Sequence, residues 1–163
     1  MKKILVSYFS ASGVTARVAQ KLSQAIDGDL HEIIPAQPYS QADLDWTNPQ
    51  SRSSQEMKNK AYRPAIQNEV KNMDDYDVIF LGYPNWWGDM PMPLYTFLEA
   101  YDFSDKTIIP FNTHGGSRFS STISTIEELQ PNATVTEDGL TISRNDVTDA
   151  ESEIVDWVES LGL

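Results

Sequence analysis

Strand-like apolar runs alternate with longer segments of helical spacing along this chain. Runs at residues 3–9, 30–34, 77–81 and 107–111 predict four strands, and the run at 77–81 is typical of a strand buried on both faces. Residues 133–142 predict a fifth strand, short and irregular. Strands that alternate with helices in this way favour an α/β fold with a parallel sheet.

The segments between these strands carry apolar residues at helical spacing. The first helix is expected to end near Asp27-Gly28, with Gly28 as its left-handed cap. A weak helix is predicted at residues 65–73 and a clearer one at 91–101, with Asp89 as its candidate N-cap. The apolar stripes of the first, fourth and last helices are Val14, Val18, Leu22, Ala25 and Ile26; Phe119, Ile123, Ile126 and Leu129; and Ala150, Ile154, Trp157, Val158 and Leu161.

The last helix shows a further start signal, because residues 148–151 fit a capping box. Together the elements predict a single α/β domain over residues 1–163. Its expected architecture is a doubly wound, five-stranded parallel sheet with helices on both faces.

A polar stretch at residues 35–64 interrupts this pattern. It contains Tyr39, Trp46 and Tyr62, and it is too long for an ordinary connection between a strand and a helix. Long loops of this kind are usually either functional or disordered, and the aromatic residues favour packing over a site. We therefore treat it as an extended loop insertion.

Composition narrows the function classes. The chain has 163 residues, with 24 Asp and Glu against 12 Lys and Arg, so its formal net charge is −12. This balance disfavours nucleic acid and an anionic membrane surface as partners. The sequence contains no cysteine, which excludes thiol and iron–sulfur chemistry, so redox chemistry would need a bound cofactor. Two distant histidines, His31 and His114, give a metal site little support.

No apolar run reaches membrane-spanning length, and the run after Lys3 is too short for a secretory signal. A cytoplasmic location is therefore expected.

The loops after strands one, three and four concentrate the unusual residues, and ligands of open α/β sheets bind at these strand ends. The first loop places Gly13 among the hydroxyls of Ser10, Ser12 and Thr15, just before a helix N-terminus, which suits a phosphate. The alternative is an ordinary turn with a serine cap. Neither the phosphate loop of nucleotidases nor the G-x-G-x-x-G fingerprint is present.

The other two loops carry aromatic and glycine-rich segments. Trp86 and Trp87 are suited to stacking on a planar ligand, with Asn85 bonding its edge; alternatively, they plug a core edge or a subunit interface. In the third loop, paired glycines permit close approach of the backbone. His114 is either a proton donor or hydrogen-bond partner, or a loop histidine with no chemical task. We favour the second interpretation over a catalytic role, because no acid or base partner lies nearby in the sequence.

The spacing of Tyr8, Ser10, Gly13 and Thr15, followed by Ala19 and Leu22, resembles the flavodoxin phosphate-loop signature. All three loops together are similar to those of a small, short-chain flavodoxin subgroup, over essentially the full length. The resemblance implies a flavodoxin-like fold and FMN as the cofactor. The phosphate would contact Ser10, Ser12, Gly13, Val14, Thr15 and Ala16. The ring would be flanked by Pro84, Asn85, Trp86, Trp87 and Gly88 and by Thr113, His114, Gly115, Gly116 and Ser117.

Two positions depart from the resemblance. Ser7 stands where an apolar or aromatic residue is expected, and Arg118 where a small residue is common. Arg118 would bring positive charge towards the flavin or a substrate.

The function implied is that of an electron carrier whose acidic surface docks redox partners with basic faces. The alternative is an FMN-dependent NAD(P)H oxidoreductase acting on quinone-like or nitro-type small molecules, as the insertion and Arg118 suggest. A phosphorylated receiver domain is disfavoured, because the first strand ends without a carboxylate cluster. The oligomeric state is left open, with a homodimer as one possibility. An acidic surround and a dry aromatic sandwich would both disfavour the anionic reduced flavin ring, so we expect a low potential for full reduction of bound FMN.

Overall fold

A computed structural model describes residues 3–114, 116, 118–137 and 139–162. Its centre is a sheet in which every paired strand is parallel. The strand order is β2-β1-β3-β4-β5, and β6 also pairs with β4. The strands are β1 (Ile4–Tyr8), β2 (Asp29–Glu32), β3 (Val78–Pro84), β4 (Thr107–His114), β5 (Thr134–Val135) and β6 (Leu140–Ser143).

Strand order reverses between β1 and β3. The chain passes outward from β1 to the edge strand β2 and then returns to the other side of β1, where Tyr8 lies opposite Gly82. β3 continues to Pro84, which lies opposite Thr113 of β4. The three predicted loops therefore leave the same edge of the sheet at its switch point, as expected for a doubly wound fold.

Helices cover both faces of the sheet, as predicted. α1 (Val14–Ile26) and α5 (Glu151–Leu161) pack on one face, where Val18, Leu22 and Ile154 are buried. α3 (Met92–Ala100) and α4 (Thr122–Leu129) pack on the other. Each face therefore has its own core. Ala25 departs from the predicted stripe, because it is exposed.

The predicted fifth strand is two strands. β5 pairs with Thr107 and Ile108 at the start of β4, whereas β6 pairs with residues 111–114 at its end. Between them the chain passes so close to β4 that a Cβ on Gly139 would lie 2.5 Å from the Pro110 carbonyl oxygen. The described residues thus form six strands of one sheet, and β6 extends its edge to the third loop.

The polar insertion is folded and contains α2 (Arg52–Lys58). It leaves and rejoins the rest of the fold at one place, where Pro35 and Ile66 form an antiparallel bridge. At that bridge the Ala36 N–H donates to the Ala65 carbonyl at 2.8 Å. The insertion is therefore a closed unit rather than a disordered loop.

The predicted helix at residues 65–73 is wrong. Asn68 donates from its amide to the Glu32 carbonyl and accepts from the Ile34 N–H, and the Val70 N–H donates to the Tyr101 hydroxyl. The segment bonds to distant parts of the chain instead of to itself. Only residues 73–75 form a short 3-10 turn.

The predicted capping box of the last helix is also wrong. Residues 147–149 form a 3-10 turn, and α5 begins at Glu151 with no side-chain cap. Thr148 instead accepts hydrogen bonds from Arg17 and Lys21 of α1, and Glu151 pairs with Lys21 at 2.8 Å. These polar groups tie α5 to α1.

Two further cap predictions fall on the wrong residue. Asp27, with a φ of 51°, takes the left-handed position that was predicted for Gly28. Pro91 is the N-cap of α3 in place of Asp89, whose carboxylate accepts from the Tyr95 hydroxyl and the Met90 N–H.

Among the described residues, no helix combines the length and the apolarity needed to cross a membrane.

Candidate functional site

A cavity of about 480 Å³ lies where the three loops meet, at the carboxyl edge of the sheet. Eight of the predicted site residues line it: Ser12, Val14, Pro84, Asn85, Trp86, Trp87, Thr113 and His114. Ser10, Gly13, Thr15, Ala16, Gly88 and Gly116 lie on the same loops but do not line it. Gly115 and Ser117 lie outside the described residues.

The first loop is braced from within by Ser10. Its Oγ accepts hydrogen bonds at 3.1 Å from the N–H groups of Gly13 and Ala16. Gly13 has a φ of 88°, in the left-handed region that glycine adopts without steric cost. The N–H of Ala16, which is a predicted phosphate contact, is therefore bonded within the loop itself. The N–H groups of Val14 and Thr15, in the first turn of α1, have no carbonyl partner inside the helix.

A hydroxyl pair joins the first and third loops. Thr15 Oγ1 lies 2.8 Å from Thr113 Oγ1, and both residues are buried. The Thr15 side chain is therefore part of the support under the cavity rather than part of its surface.

The second loop is a tight turn that presents Trp87 at its tip. Trp86 and Asp89 exchange backbone hydrogen bonds of 2.9 Å, and Trp87 and Gly88 between them both have positive φ. A left-handed conformation is uncommon for a bulky residue such as Trp87, whose φ is 51°. Strain of this kind clusters at functional sites, which agrees with the position of Trp87 at the cavity.

Asn85 ties the second loop to the third. Its amide donates to the Arg118 carbonyl at 2.6 Å, and the amide of buried Asn112 donates to the same carbonyl at 2.7 Å. The Asn85 side-chain oxygen accepts from the Gly88 N–H. Both ends of this amide, which was predicted to bond a ligand edge, are thus engaged within the protein.

His114 is held as a neutral ring. Burial, and then the positive charge of Arg118, lowers its pKa, while Asp146 opposes the shift. Its Nδ1 accepts from the Gly116 N–H at 2.8 Å, so the ring proton lies on Nε2. His114 therefore brings a hydrogen-bond donor, without a full charge, to the wall of the cavity.

Five lining residues are absent from the sequence-based predictions: Ala11, Leu44, Trp46, Ser53 and Arg144. Three of them, including Trp46, belong to the insertion, whose aromatic residues had indicated packing over a site. Arg144 follows β6, and its N–H donates to the His114 carbonyl at 2.9 Å. No local signal marks it, because its place depends on the pairing of β6 with β4.

The charge at this cavity differs from that of the whole chain. The described residues that line it include no Asp or Glu, whereas Arg144 brings a positive charge. Arg118, the departure noted in the sequence, is exposed and does not line the cavity. No group of three or more His, Asp or Glu in the described part of the chain is arranged to hold a metal ion.

An aromatic cluster fastens the insertion to the site. Phe9, Tyr39 and Trp86 meet edge to face, with ring centroids 5.6 to 5.8 Å apart. Each ring comes from a different part of the chain: the end of β1, the insertion and the second loop. The cluster holds Trp86 in place, while Trp87 remains half exposed.

A polar network backs this cluster. Tyr39 donates its hydroxyl proton to buried Glu56, and burial together with that contact raises the Tyr39 pKa far above its ordinary value. Arg52 pairs with Glu56 at 2.7 Å and lies 3.9 Å above the Tyr39 ring. The buried carboxylate is satisfied by both partners. All three residues belong to the insertion, so the network fixes Tyr39 within the insertion, and the aromatic cluster in turn holds Tyr39 against the site.

Comparison with known proteins places this geometry in a family. The family model described as Flavodoxin matches residues 3–161, so the chain belongs to the flavodoxin family and has its doubly wound fold. A search of curated proteins found no significant match.

Solved structures of flavoproteins are also similar to this chain. A candidate flavoprotein from Bacteroides eggerthii is 43% identical, with a TM-score of 0.83 over 94% of this chain and 98% of that one. One from Bacteroides uniformis is 37% identical, with a TM-score of 0.90 over 97% and 98%. A Lactobacillus acidophilus flavoprotein in complex with FMN is 25% identical, with a TM-score of 0.69 over 93% and 99%.

We predict that Glu56→Gln loosens the insertion. Loss of the carboxylate leaves the Arg52 guanidinium without its charged partner, at a cost of about 1–3 kcal/mol. Hydrogen exchange of residues 35–64 should therefore become faster than in the wild type. Glu151→Gln is the matched control, because its pair with Lys21 lies outside the insertion, the Glu151 side chain is exposed, and exposed pairs contribute about 0–1 kcal/mol. Equal effects of the two substitutions would contradict a role for the buried network.

Proposed function

We propose that this protein binds FMN and carries electrons in the cytoplasm as a flavodoxin. The observation that carries the proposal is the cavity at the switch point, with the first turn of α1 at one end and tryptophans at its side. Membership of the flavodoxin family and the FMN complex of the Lactobacillus acidophilus relative support it.

The first loop fits the phosphate of FMN. The N–H groups of Val14 and Thr15 open α1, where an anion is favoured, and the Ser12 side chain lines the cavity beside them. The Ser10 oxygen accepts two internal hydrogen bonds, yet its own proton remains available to a phosphate oxygen. Neutral donors would thus hold the phosphate.

The second and third loops fit the flavin ring. Trp86 is fixed by the aromatic cluster as one wall, and Trp87 at the turn tip has exposed ring surface to cover a planar ligand. Trp46 of the insertion lines the same space. Bound FMN supplies one- and two-electron chemistry, while these residues exclude water and set the charge around it.

The carrier role is proposed from the surface charge. A formal charge of −12 would steer basic faces of redox partners over a Debye length of about 8 Å at physiological salt. Because no described Asp or Glu lines the cavity, this charge acts on the partner rather than on the bound ligand.

We predict that Gly13→Ala weakens the binding of FMN about tenfold and leaves riboflavin binding unchanged. An alanine at a φ of 88° is strained by about 1–2 kcal/mol, and a loop that relaxes to relieve this strain withdraws its donors from the phosphate. Quenching of flavin fluorescence on titration with apoprotein measures both affinities.

Gly162→Ala is the matched control. It has the same sign of φ and the same open space around a new Cβ, but it lies at the end of α5, away from the cavity. Wild-type protein that binds riboflavin as tightly as FMN would rule out the phosphate site.

Arg144 is expected to raise the reduction potential of bound FMN, against the low potential expected from an acidic chain. Its positive charge favours the negative charge that reduction adds, by roughly 1 kcal/mol for an exposed site. Arg144→Gln should therefore lower the two-electron midpoint potential by about 20 mV in a spectroelectrochemical titration. Lys71→Gln, outside the cavity, should leave it unchanged, and a rise in potential for Arg144→Gln would contradict this assignment.

A second candidate function is an FMN-dependent oxidoreductase for quinone-like or nitro-type molecules, which is favoured by the contribution of the insertion to the cavity wall. Steady-state kinetics of the FMN-loaded protein separate the two. For a carrier we expect negligible oxidation of NADH or NADPH with a soluble quinone unless a partner reductase is added. Rapid turnover by the protein alone would favour the oxidoreductase.

A further inference from the structure

A second cavity, of about 410 Å³, lies beside the first one. We call it the outer cavity; it is lined by Trp46, Thr47, Pro49, Ser54, Met57, Lys58, Lys60 and Trp87. Trp46 and Trp87 border both cavities. Its volume is within the range of small-molecule sites, and all of its other lining residues come from the insertion.

Internal contacts define the walls of the outer cavity. Ser51 caps α2 by accepting from the Ser54 N–H, and the Ser54 hydroxyl donates to the Asn48 carbonyl at 2.8 Å. Lys60 forms a salt bridge of 2.6 Å with Asp89, at the base of the turn that presents Trp87. The insertion wall and the Trp87 wall are thereby held to each other.

Two large aromatic side chains are left in water at this one place. Trp46 is 70% exposed and Trp87 is 51% exposed, whereas the neighbouring Trp86 is partly buried in the aromatic cluster. Each exposed indole carries a large apolar surface that a flat ring would remove from water. The walls therefore favour a planar aromatic occupant.

The charged side chains at the rim of the outer cavity determine which sign of ligand charge is favoured there. Lys60 is neutralised by Asp89, but no carboxylate pairs with Lys58 in the part of the chain that the structure describes. Lys58 is exposed at the last turn of α2, and no Asp or Glu lines the outer cavity among the described residues. A chain of net charge −12 thus presents an uncompensated ammonium group beside two tryptophans.

We propose that the outer cavity is a binding site for a small planar aromatic anion, with its ring against Trp46 and Trp87 and its acidic group at Lys58. The site differs from the FMN cavity although the two share Trp46 and Trp87. Because an indole ring has two faces, we assign one face to the flavin and the other to this occupant, so that binding does not depend on FMN. Because Trp46 and Trp87 border both cavities, an occupant would lie next to the wall of the FMN cavity.

Calorimetric titration with naphthalene-2-sulfonate tests the proposal, with naphthalene-2-sulfonamide as the neutral analogue of nearly the same shape. We expect the sulfonate to bind about fivefold more tightly than the sulfonamide, which is the contribution of an exposed ion pair. Both apoprotein and FMN-saturated protein should bind it. Shifts of the indole N–H resonances of Trp46 and Trp87 should accompany binding.

Two variants separate the charge from the rings. Lys58→Gln should lower the sulfonate affinity to that of the sulfonamide and leave the sulfonamide and FMN affinities unchanged, whereas Lys71→Gln should change nothing. Trp46→Ala should weaken both naphthalenes about tenfold, because it removes one ring contact. Leu30→Ala, which shortens an exposed apolar side chain on the edge strand β2, is its control.

Several results would overturn the proposal. Equal affinity for the sulfonate and the sulfonamide would show that the cavity takes neutral rings, and an unchanged affinity in Lys58→Gln would remove the anion contact. Loss of sulfonate binding in FMN-saturated protein would place the ligand in the FMN cavity instead. A failure of FMN binding itself would appear in the flavin titration and leave the apoprotein result intact.

Discussion

The parallel pairing of β1, β3 and β4 is the constraint on which the rest of the site depends. Tyr8 lies opposite Gly82, and Pro84 lies opposite Thr113, so three loops that are far apart in sequence leave one edge of the sheet together. The hydroxyl pair of Thr15 and Thr113 can form only in this register. A one-residue slip of β4 would move each of its side chains to the opposite face of the sheet and would separate the Thr15–Thr113 pair.

The parts of the fold that local pattern determines were predictable, and those that depend on distant partners were not. The strand β3 begins with the continuous apolar run at residues 78–81, so its burial on both faces follows from the local sequence alone. The segment around Asn68 has helical spacing, yet it bonds to β2 and Tyr101. Thr148 likewise has the sequence pattern of a helix cap, yet its hydroxyl accepts a hydrogen bond from Arg17 of α1 instead. In both cases tertiary hydrogen bonds outweigh weak local preference.

The same division holds at the site. The first loop was predicted as a binding site because the chemistry of a helix N-terminus is encoded within a few consecutive positions, and its Ser12 and Val14 line the cavity. Arg144 was not, because only the splitting of the fifth strand brings it beside His114. Asn85 lies in the cavity wall, and its amide also joins two loops, which no local pattern indicates. The net charge of −12 also did not predict the charge at the first cavity, whose described lining has no Asp or Glu and includes Arg144.

The bridge between Pro35 and Ile66 has a consequence for how such proteins can diversify. Because the insertion leaves and rejoins the sheet at a single point, its length and sequence can change without altering the register of any strand. The entropic cost of a longer closed loop grows only slowly with its length. A chain of this fold can therefore keep its first loop while the wall above that loop changes, so that one sheet scaffold can present different molecular neighbours to the same cavity.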